Sequence, residues 1–143
     1  MTVTFAENER PFKPQQVDLS RLSDCHLLNC VTHKHIGIVD FRPRTMNIYA
    51  QPLDQVGIRW EVLPAEMLPA IYGAVLAMDE GRAGREENQI LQAGLTYLRG
   101  QQVEAIILAC TEIPLILAEA GQGEDLINPA QLLAEATVRY AIA

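Results

Sequence analysis

Basic residues and cysteines are scarce in this 143-residue chain. It has 11 Lys and Arg against 18 Asp and Glu, so the formal net charge is −7. An acidic surface repels phosphate groups, and we therefore expect no nucleic acid or anionic membrane among the partners. The 3 cysteines are too few, and odd in number, for a disulfide framework. A reducing cytoplasm is the predicted location.

Long hydrophobic runs are also missing. No apolar stretch approaches the ~18 residues that a bilayer-spanning helix needs, and the polar residues 1–12 contain no signal-peptide core. Hydrophobic residues still make up 49% of the chain and charged residues 20%, which is typical of a globular protein. The length suits one domain with one core, and there is no internal repeat or low-complexity segment.

The first 34 residues lack sustained periodicity, and Pro11 and Pro14 disfavour regular structure there. The stretch 18–22 could start a short helix. We predict an irregular N-terminal arm over residues 1–34, which could pack on a partner subunit, and one domain over residues 35–143.

Two cysteines and all three histidines lie close together around this boundary. Cys25, Cys30, His33 and His35 could supply four zinc ligands, but the usual Cys-x-x-Cys spacing is absent. We predict no metal site, and the alternative to a zinc site is a loop or short strand with surface histidines.

From His35 onward, short apolar stretches alternate with helical patterns. Strands are predicted at 35–41, 58–64, 105–108 and 125–129, and helices at 45–55, 65–80, 85–99 and 130–142, with a further helix beginning just after Cys110. Thr45 is the expected cap of the first helix, which Pro52 should interrupt, and Gly57, Gly81 and Gly100 are expected to end three helices. This alternation predicts a single three-layer α/β domain. Its parallel sheet should have about four strands in the flavodoxin-like order 2-1-3-4, with helices on both faces.

Cys110 stands where the apolar strand 105–108 gives way to a helix. Thr111 can cap that helix through its hydroxyl, and Pro114 would fall in its first turn. Open α/β sheets bind ligands at the carboxyl ends of their strands. Because a helix N-terminus favours thiolate, Cys110 is predicted to have a lowered pKa and to act as an acid/base group or nucleophile. The alternative is a buried cysteine that serves as a small hydrophobe.

The residues Ala-Cys-Thr-Glu-Ile-Pro-Leu at 109–115 resemble the Gly-Cys-Thr-Glu-Ile-Pro-Leu motif of aspartate/glutamate racemases that use no pyridoxal phosphate. The likeness extends from His35 to the end of the chain and corresponds to the second of that family's two domains. Arg42, Thr45 and Met46 also match, whereas Asp40 and Phe41 stand where the family usually has Gly-Thr.

This resemblance implies inversion at the α-carbon of a small acidic amino acid without any cofactor. In the family, one cysteine from each domain works on opposite faces of that carbon. Cys110 matches the second cysteine, and Thr111 and Glu112 match neighbours that position and tune it. Glu112 could instead be a first-turn acid that complements the helix dipole. The first cysteine has no clear counterpart, since Cys30 lies only a few residues before the first strand.

Substrate binding is implied for Arg42 and Thr45, and Arg42 could hold a carboxylate through bidentate hydrogen bonds. An exposed loop arginine is the alternative. The family's lysine near the start of helix 65–80 is replaced here, in a rough alignment, by Pro69.

Three functions remain open on the sequence. The first is a half-length racemase-like protein, completed by a homodimer or by a missing second domain. The second is a catalytically impaired relic that acts as a binding or interaction domain, and the third is an unrelated thiol hydrolase. Sequence cannot separate the first two, nor name the true substrate.

Overall fold

The computed structural model describes residues 33–142. The predicted helix-initiating stretch 18–22, the cysteines Cys25 and Cys30 and nearly all of the predicted arm lie outside this range. The elements, in chain order, are the following: β1 (His35–Val39), a 3₁₀ turn (Arg44–Met46), α1 (Ala50–Gln55), β2 (Arg59–Val62), a second 3₁₀ turn (Ala65–Met67), α2 (Leu68–Asp79), α3 (Arg85–Gly100), β3 (Ala105–Leu108), α4 (Glu112–Leu117), a third 3₁₀ turn (Ala118–Gln122), β4 (Leu126–Ile127) and α5 (Pro129–Ile142).

The four strands form one parallel sheet in the order β2-β1-β3-β4, which confirms the predicted fold class and strand order. Since successive side chains of a strand point to opposite faces of the sheet, β1 and β3 each contribute side chains to two hydrophobic clusters, one on each face. Val39, Ile106 and Leu108 pack against α2, α3 and α4 on one face. Ile36, Ile38 and Ile107 pack with Leu53 of α1 and Trp60 of β2 on the other.

The helix predicted at 45–55 is wrong in its first half. The chain makes a 3₁₀ turn over Arg44–Met46, and α1 begins only at Ala50. Asn47 causes the break, because its side-chain oxygen accepts the backbone N–H of Tyr49 at 2.8 Å and so competes with the helical pattern. Pro52 is then the third residue of α1, where no intrahelical N–H is needed, so it does not interrupt the helix. Thr45 caps no helix.

Glycines end two helices as predicted. Gly57 and Gly81 have φ values of 73° and 71°, and each follows a helix whose last carbonyls are bonded by the chain beyond it. Gly100 is the last residue of α3, so this helix also ends where the sequence predicts, although it is Gln102 that takes the left-handed conformation, with φ 60°.

Candidate functional site

Three adjacent strands of the parallel sheet present polar side chains at their carboxyl ends. Asp40 follows β1 directly, Cys110 lies two residues beyond β3, and Asn128 follows β4. A small cleft of about 60 Å³ opens there, lined by Tyr49, Leu108, Ala109, Cys110, Thr111, Asn128, Pro129 and Ala130. We call it the Cys110 cleft. It occupies the sheet edge at which α/β proteins commonly bind ligands.

Glu112 accepts hydrogen bonds from the other two predicted catalytic residues, Cys110 and Thr111. The Cys110 thiol donates to Glu112 Oε2 at 2.6 Å, and the Thr111 hydroxyl donates to Glu112 Oε1 at 2.8 Å. These two bonds lower the pKa of the Glu112 carboxyl, the thiol bond contributing more. The structure thus brings the three predicted catalytic residues into one hydrogen-bonded group, in which the carboxylate is the acceptor.

The Cys110 pKa shifts in the direction opposite to the sequence prediction. Burial and the hydrogen bond to Glu112 raise the pKa of the thiol from 9.0 to about 11, and the nearby negative charges of Glu112 and Asp40 act in the same direction. The backbone N–H of Glu112 opposes them but is outweighed. The expectation of a lowered pKa is therefore wrong. A carboxylate in contact with the sulfur has a larger effect than the N-terminus of a six-residue helix.

Thr111 occupies the predicted N-cap position of α4 but does not cap it. Its side chain makes no hydrogen bond to the helix backbone, because the hydroxyl is directed to Glu112. Pro114 does fall in the first turn of α4, as predicted. Pro114 thus favours the start of α4, and the Thr111 hydroxyl is available to bind the Glu112 carboxylate.

Asp40 is a site residue that the sequence reasoning missed. Its side chain is only 2% exposed, and the Arg42 guanidinium donates to both of its oxygens at 2.9 to 3.1 Å. The Arg42 backbone N–H adds a further bond to Asp40 at 3.2 Å. The Asp40 carboxylate raises the pKa of Arg42, and the two residues also interact electrostatically with Cys110. A carboxylate placed directly after a buried strand, two residues before an arginine, was the available signal.

The two predicted substrate-binding residues have different surroundings. Arg42 is 30% exposed and lies in the electrostatic range of Cys110, with its guanidinium 5.7 Å from the Phe41 ring centre. Thr45 is exposed in the 3₁₀ turn, and neither Arg42 nor Thr45 is among the residues that line the Cys110 cleft. Asn128 lines the cleft and caps α5, accepting the N–H groups of Ala130 and Gln131 at 3.1 and 3.3 Å.

His33 and His35, the histidines of the described range, lie at the opposite, amino edge of the sheet. His33 pairs with Glu104 at 3.2 Å, and His35 lies between Arg59 and Glu61, at 3.1 and 3.3 Å. No group of three potential metal ligands occurs within residues 33–142. The cysteines that would complete the considered zinc set, Cys25 and Cys30, lie outside the described range.

None of the helices in the described part of the chain is long and apolar enough to cross a membrane. No curated protein matches the chain. The model of a family described as Asp/Glu/Hydantoin racemase matches residues 22–137, most of the chain. That span contains the strand ends, the Cys-Thr-Glu group and the Asp40–Arg42 pair described above, and the chain belongs to the Asp/Glu/Hydantoin racemase family.

Proposed function

We propose that this protein takes part in cofactor-independent inversion at the α-carbon of a small acidic amino acid, with Cys110 as one of two acid/base groups. The observation that carries the proposal is the contact between the Cys110 thiol and Glu112 at the carboxyl end of β3. The family membership supports racemase chemistry in general. It also argues against the alternative of an unrelated thiol hydrolase.

The raised pKa of the Cys110 thiol favours a role as the proton donor at the start of the reaction. With a pKa of about 11, Cys110 carries its proton at neutral pH and begins as the acid. A base on the opposite face of the substrate removes the α-proton, and the electron pair left on the α-carbon takes the proton of the Cys110 S–H bond. The sulfur keeps its electron pair and becomes a thiolate. In the reverse direction this thiolate, a strong base because of its high pKa, removes the α-proton.

Thr111 and Glu112 are positioning and tuning residues in this scheme. Glu112 accepts the S–H bond and so fixes the direction of the thiol proton, while the Thr111 hydroxyl holds the other carboxylate oxygen. Arg42 would hold a substrate carboxylate with the N–H groups that Asp40 leaves unused, and Thr45 would assist as a hydroxyl donor. We also infer a cytoplasmic location, where Cys110 would stay reduced.

The second acid/base group has to come from elsewhere, because a single thiol cannot reach both faces of one carbon. A second copy of the chain, or a further domain like the family's first, would supply it. We therefore expect slow turnover by the chain alone. Binding should also be weak, since Asp40 and Glu112 place two negative charges near Cys110 and Pro69 stands where the family has a lysine.

The test is exchange of the α-proton of L-aspartate in deuterium oxide, followed by NMR. We expect slow exchange with the parent protein and none with Cys110→Ser, because serine cannot supply an acid of comparable strength. Cys25→Ser is the matched control, since it removes a thiol that has no role in the proposed chemistry, and it should exchange at the parent rate. Exchange that survives Cys110→Ser would show that Cys110 is not the acid/base group.

A binding or interaction domain with an impaired site is the second candidate. It is favoured by the contacts of Arg42 with Asp40, which engage two of its five N–H groups, those of Nε and Nη2, and so make them unavailable to a substrate. No exchange with any variant, together with calorimetric binding of L-aspartate that Arg42→Gln abolishes, would favour this candidate over the racemase.

A further inference from the structure

Asn47 carries a buried hydrogen-bond donor that has no partner. The side chain is only 8% exposed, and its Oδ1 accepts the backbone N–H of Tyr49 at 2.8 Å. Its Nδ2 is shielded from solvent and has no acceptor within residues 33–142. The bond to Tyr49 fixes this orientation, because a reversed amide would point the NH₂ group at another N–H. Unsatisfied buried donors are rare and destabilising, so this one indicates an acceptor that the described chain does not supply.

The two neighbours of Asn47 have the reverse exposure. Met46 is 61% exposed and Ile48 is 62% exposed, although both are large and apolar. Three consecutive residues thus direct a polar group inward and two apolar groups outward, which is the opposite of the usual distribution. We call residues 44–48 the 44–48 segment. A shift of this segment that gives Asn47 an acceptor and covers the two apolar side chains would remove both costs.

The 44–48 segment lies between residues of the candidate site. Tyr49, directly after it, lines the Cys110 cleft. Arg42, two residues before it, interacts electrostatically with both Cys110 and Tyr49. Asn47 itself is not among the residues that line the cleft, so its donor reaches a molecule bound there only when the segment moves.

The unused donors of this loop match a carboxylate. Asp40 engages two of the five N–H groups of Arg42, which leaves three, and the Asn47 NH₂ group adds two more. The chain's own carboxylates at this edge are already bonded, Asp40 by Arg42 and Glu112 by a thiol and a hydroxyl. A bound carboxylate offers two oxygens with several lone pairs, so it can accept from Arg42 and Asn47 together.

We propose that Asn47 is a substrate-binding residue, which donates through Nδ2 to a carboxylate oxygen of the bound molecule when the 44–48 segment closes over it. Met46 and Ile48 would then cover the ligand and exclude water. Asn47 takes no part in proton transfer, so no bond is made or broken at its amide. The identification of the ligand as a small acidic amino acid rests on the proposed function, whereas the unpaired donor is a feature of the structure itself.

The test is the NMR signal of the Asn47 side-chain NH₂ group in the isotope-labelled full chain, assigned as the signal that Asn47→Ser removes. L-aspartate is added to about 50 mM, which exceeds the millimolar dissociation constant of a weak site. We expect a downfield shift at Asn47 and a smaller one at Asn88, whose amide is already bonded. Glycinamide, which has no carboxylate, should leave both signals in place. An Asn47 signal that L-aspartate does not move, or that glycinamide moves equally, would overturn the proposal.

Asn47→Ser and Asn88→Ser form a matched pair, because each replaces an amide side chain with the same smaller one. The Asn88 amide donates to the carbonyls of Ile116 and Leu117 at 2.9 and 3.3 Å, so its loss should lower the urea midpoint. Asn47→Ser should keep the midpoint, since serine can still accept the Tyr49 N–H. It should also raise the calorimetric dissociation constant of L-aspartate about tenfold, and Asn88→Ser should not. Equal loss of midpoint in both variants would mean that a buried water already satisfies Asn47, and would refute the binding role.

The result can be separated from that of the α-proton exchange test. A shifted Asn47 signal without exchange would leave the binding role in place and remove the racemase chemistry. Exchange that depends on Cys110, with an Asn47 signal that does not move, would keep the chemistry and remove the role of Asn47.

Discussion

The two edges of the parallel sheet both carry ionisable side chains, but they balance charge differently. At the amino edge, Arg59 donates to His35 Nδ1, and the ring's other nitrogen then donates to Glu61. The register pairs His35 with Arg59, so these contacts link adjacent strands. At the carboxyl edge, three acidic groups, Asp40, Cys110 and Glu112, lie near one arginine, Arg42.

This difference supports the proposal of proton chemistry at the carboxyl edge. At the amino edge, His35 links the cation of Arg59 to the carboxylate of Glu61, which is the arrangement of a structural network. At the carboxyl edge there is more acid than base, and burial, together with the contact to Glu112, raises the pKa of the Cys110 thiol to about 11. Perturbed pKa values of this kind are concentrated at functional sites. The following experiments test the contrast, beginning with the one for which we expect the largest effect.

Asp40→Asn should have the largest effect on stability. The substitution keeps the shape of the side chain but leaves the Arg42 guanidinium without its buried partner. We expect the free energy of unfolding to fall by about 2 to 3 kcal/mol. Glu61→Gln is the matched variant at the amino edge. It should lower the free energy of unfolding by less than about 1 kcal/mol, because Glu61 is well exposed. Equal losses in urea denaturation would remove the distinction between the edges.

Glu112→Gln should change the reactivity of Cys110. The amide carries no charge, so the pKa of the thiol should move down from about 11 but stay above 9.0, since burial, its largest cause, remains. Each unit of decrease raises the thiolate fraction near neutral pH about tenfold. We therefore expect alkylation of Cys110 by iodoacetamide, followed by mass spectrometry, to be several-fold faster.

Glu104→Gln, which removes a carboxylate at the amino edge, is the control for this reactivity change and should leave the alkylation rate unaltered. If Glu112→Gln instead reacts at the parent rate, Glu112 has no influence on the proton of Cys110. Burial alone would then account for the raised pKa. In the parent, we expect Cys110 to react slowly at pH 7, because its pKa is raised and not lowered as the sequence predicted.

The smallest effect should appear in the pH dependence of stability. Between pH 9 and pH 11 the unfolded thiol ionises while the folded thiol keeps its proton, so the folded state is progressively disfavoured as pH rises. The contribution is present below pH 9 and lost as pH passes through 11. It should amount to less than about 1 kcal/mol, because Cys110 is partly exposed. The parent curve minus the Cys110→Ala curve isolates it, and a difference that does not change with pH would contradict the raised pKa.

Local sequence determined the order of the elements and the position of Cys110. The apolar runs 35–39 and 105–108 form strands because they are buried on both faces, and glycines at 57 and 81 end helices because they accept positive φ values. The Cys-Thr-Glu-Ile-Pro motif predicted the family because its residues are contiguous in the chain. The helix pattern at 45–55 failed in its first half, because a side-chain contact from Asn47 makes α1 begin later than predicted.

The tertiary structure decided the surroundings of the candidate site. The sequence predicted Cys110, Thr111 and Glu112 as site residues but gave the wrong direction for the thiol pKa, because burial and the orientation of a carboxylate depend on packing. The Asp40–Arg42 pair is local in the chain, but it lies near Cys110 only because β1 and β3 are neighbouring strands. The helical pattern of α5 was readable as well, whereas the solvent exposure of its apolar side chains was not. A pattern fixes which residues share a side of a helix, but only the folded chain determines what that side faces.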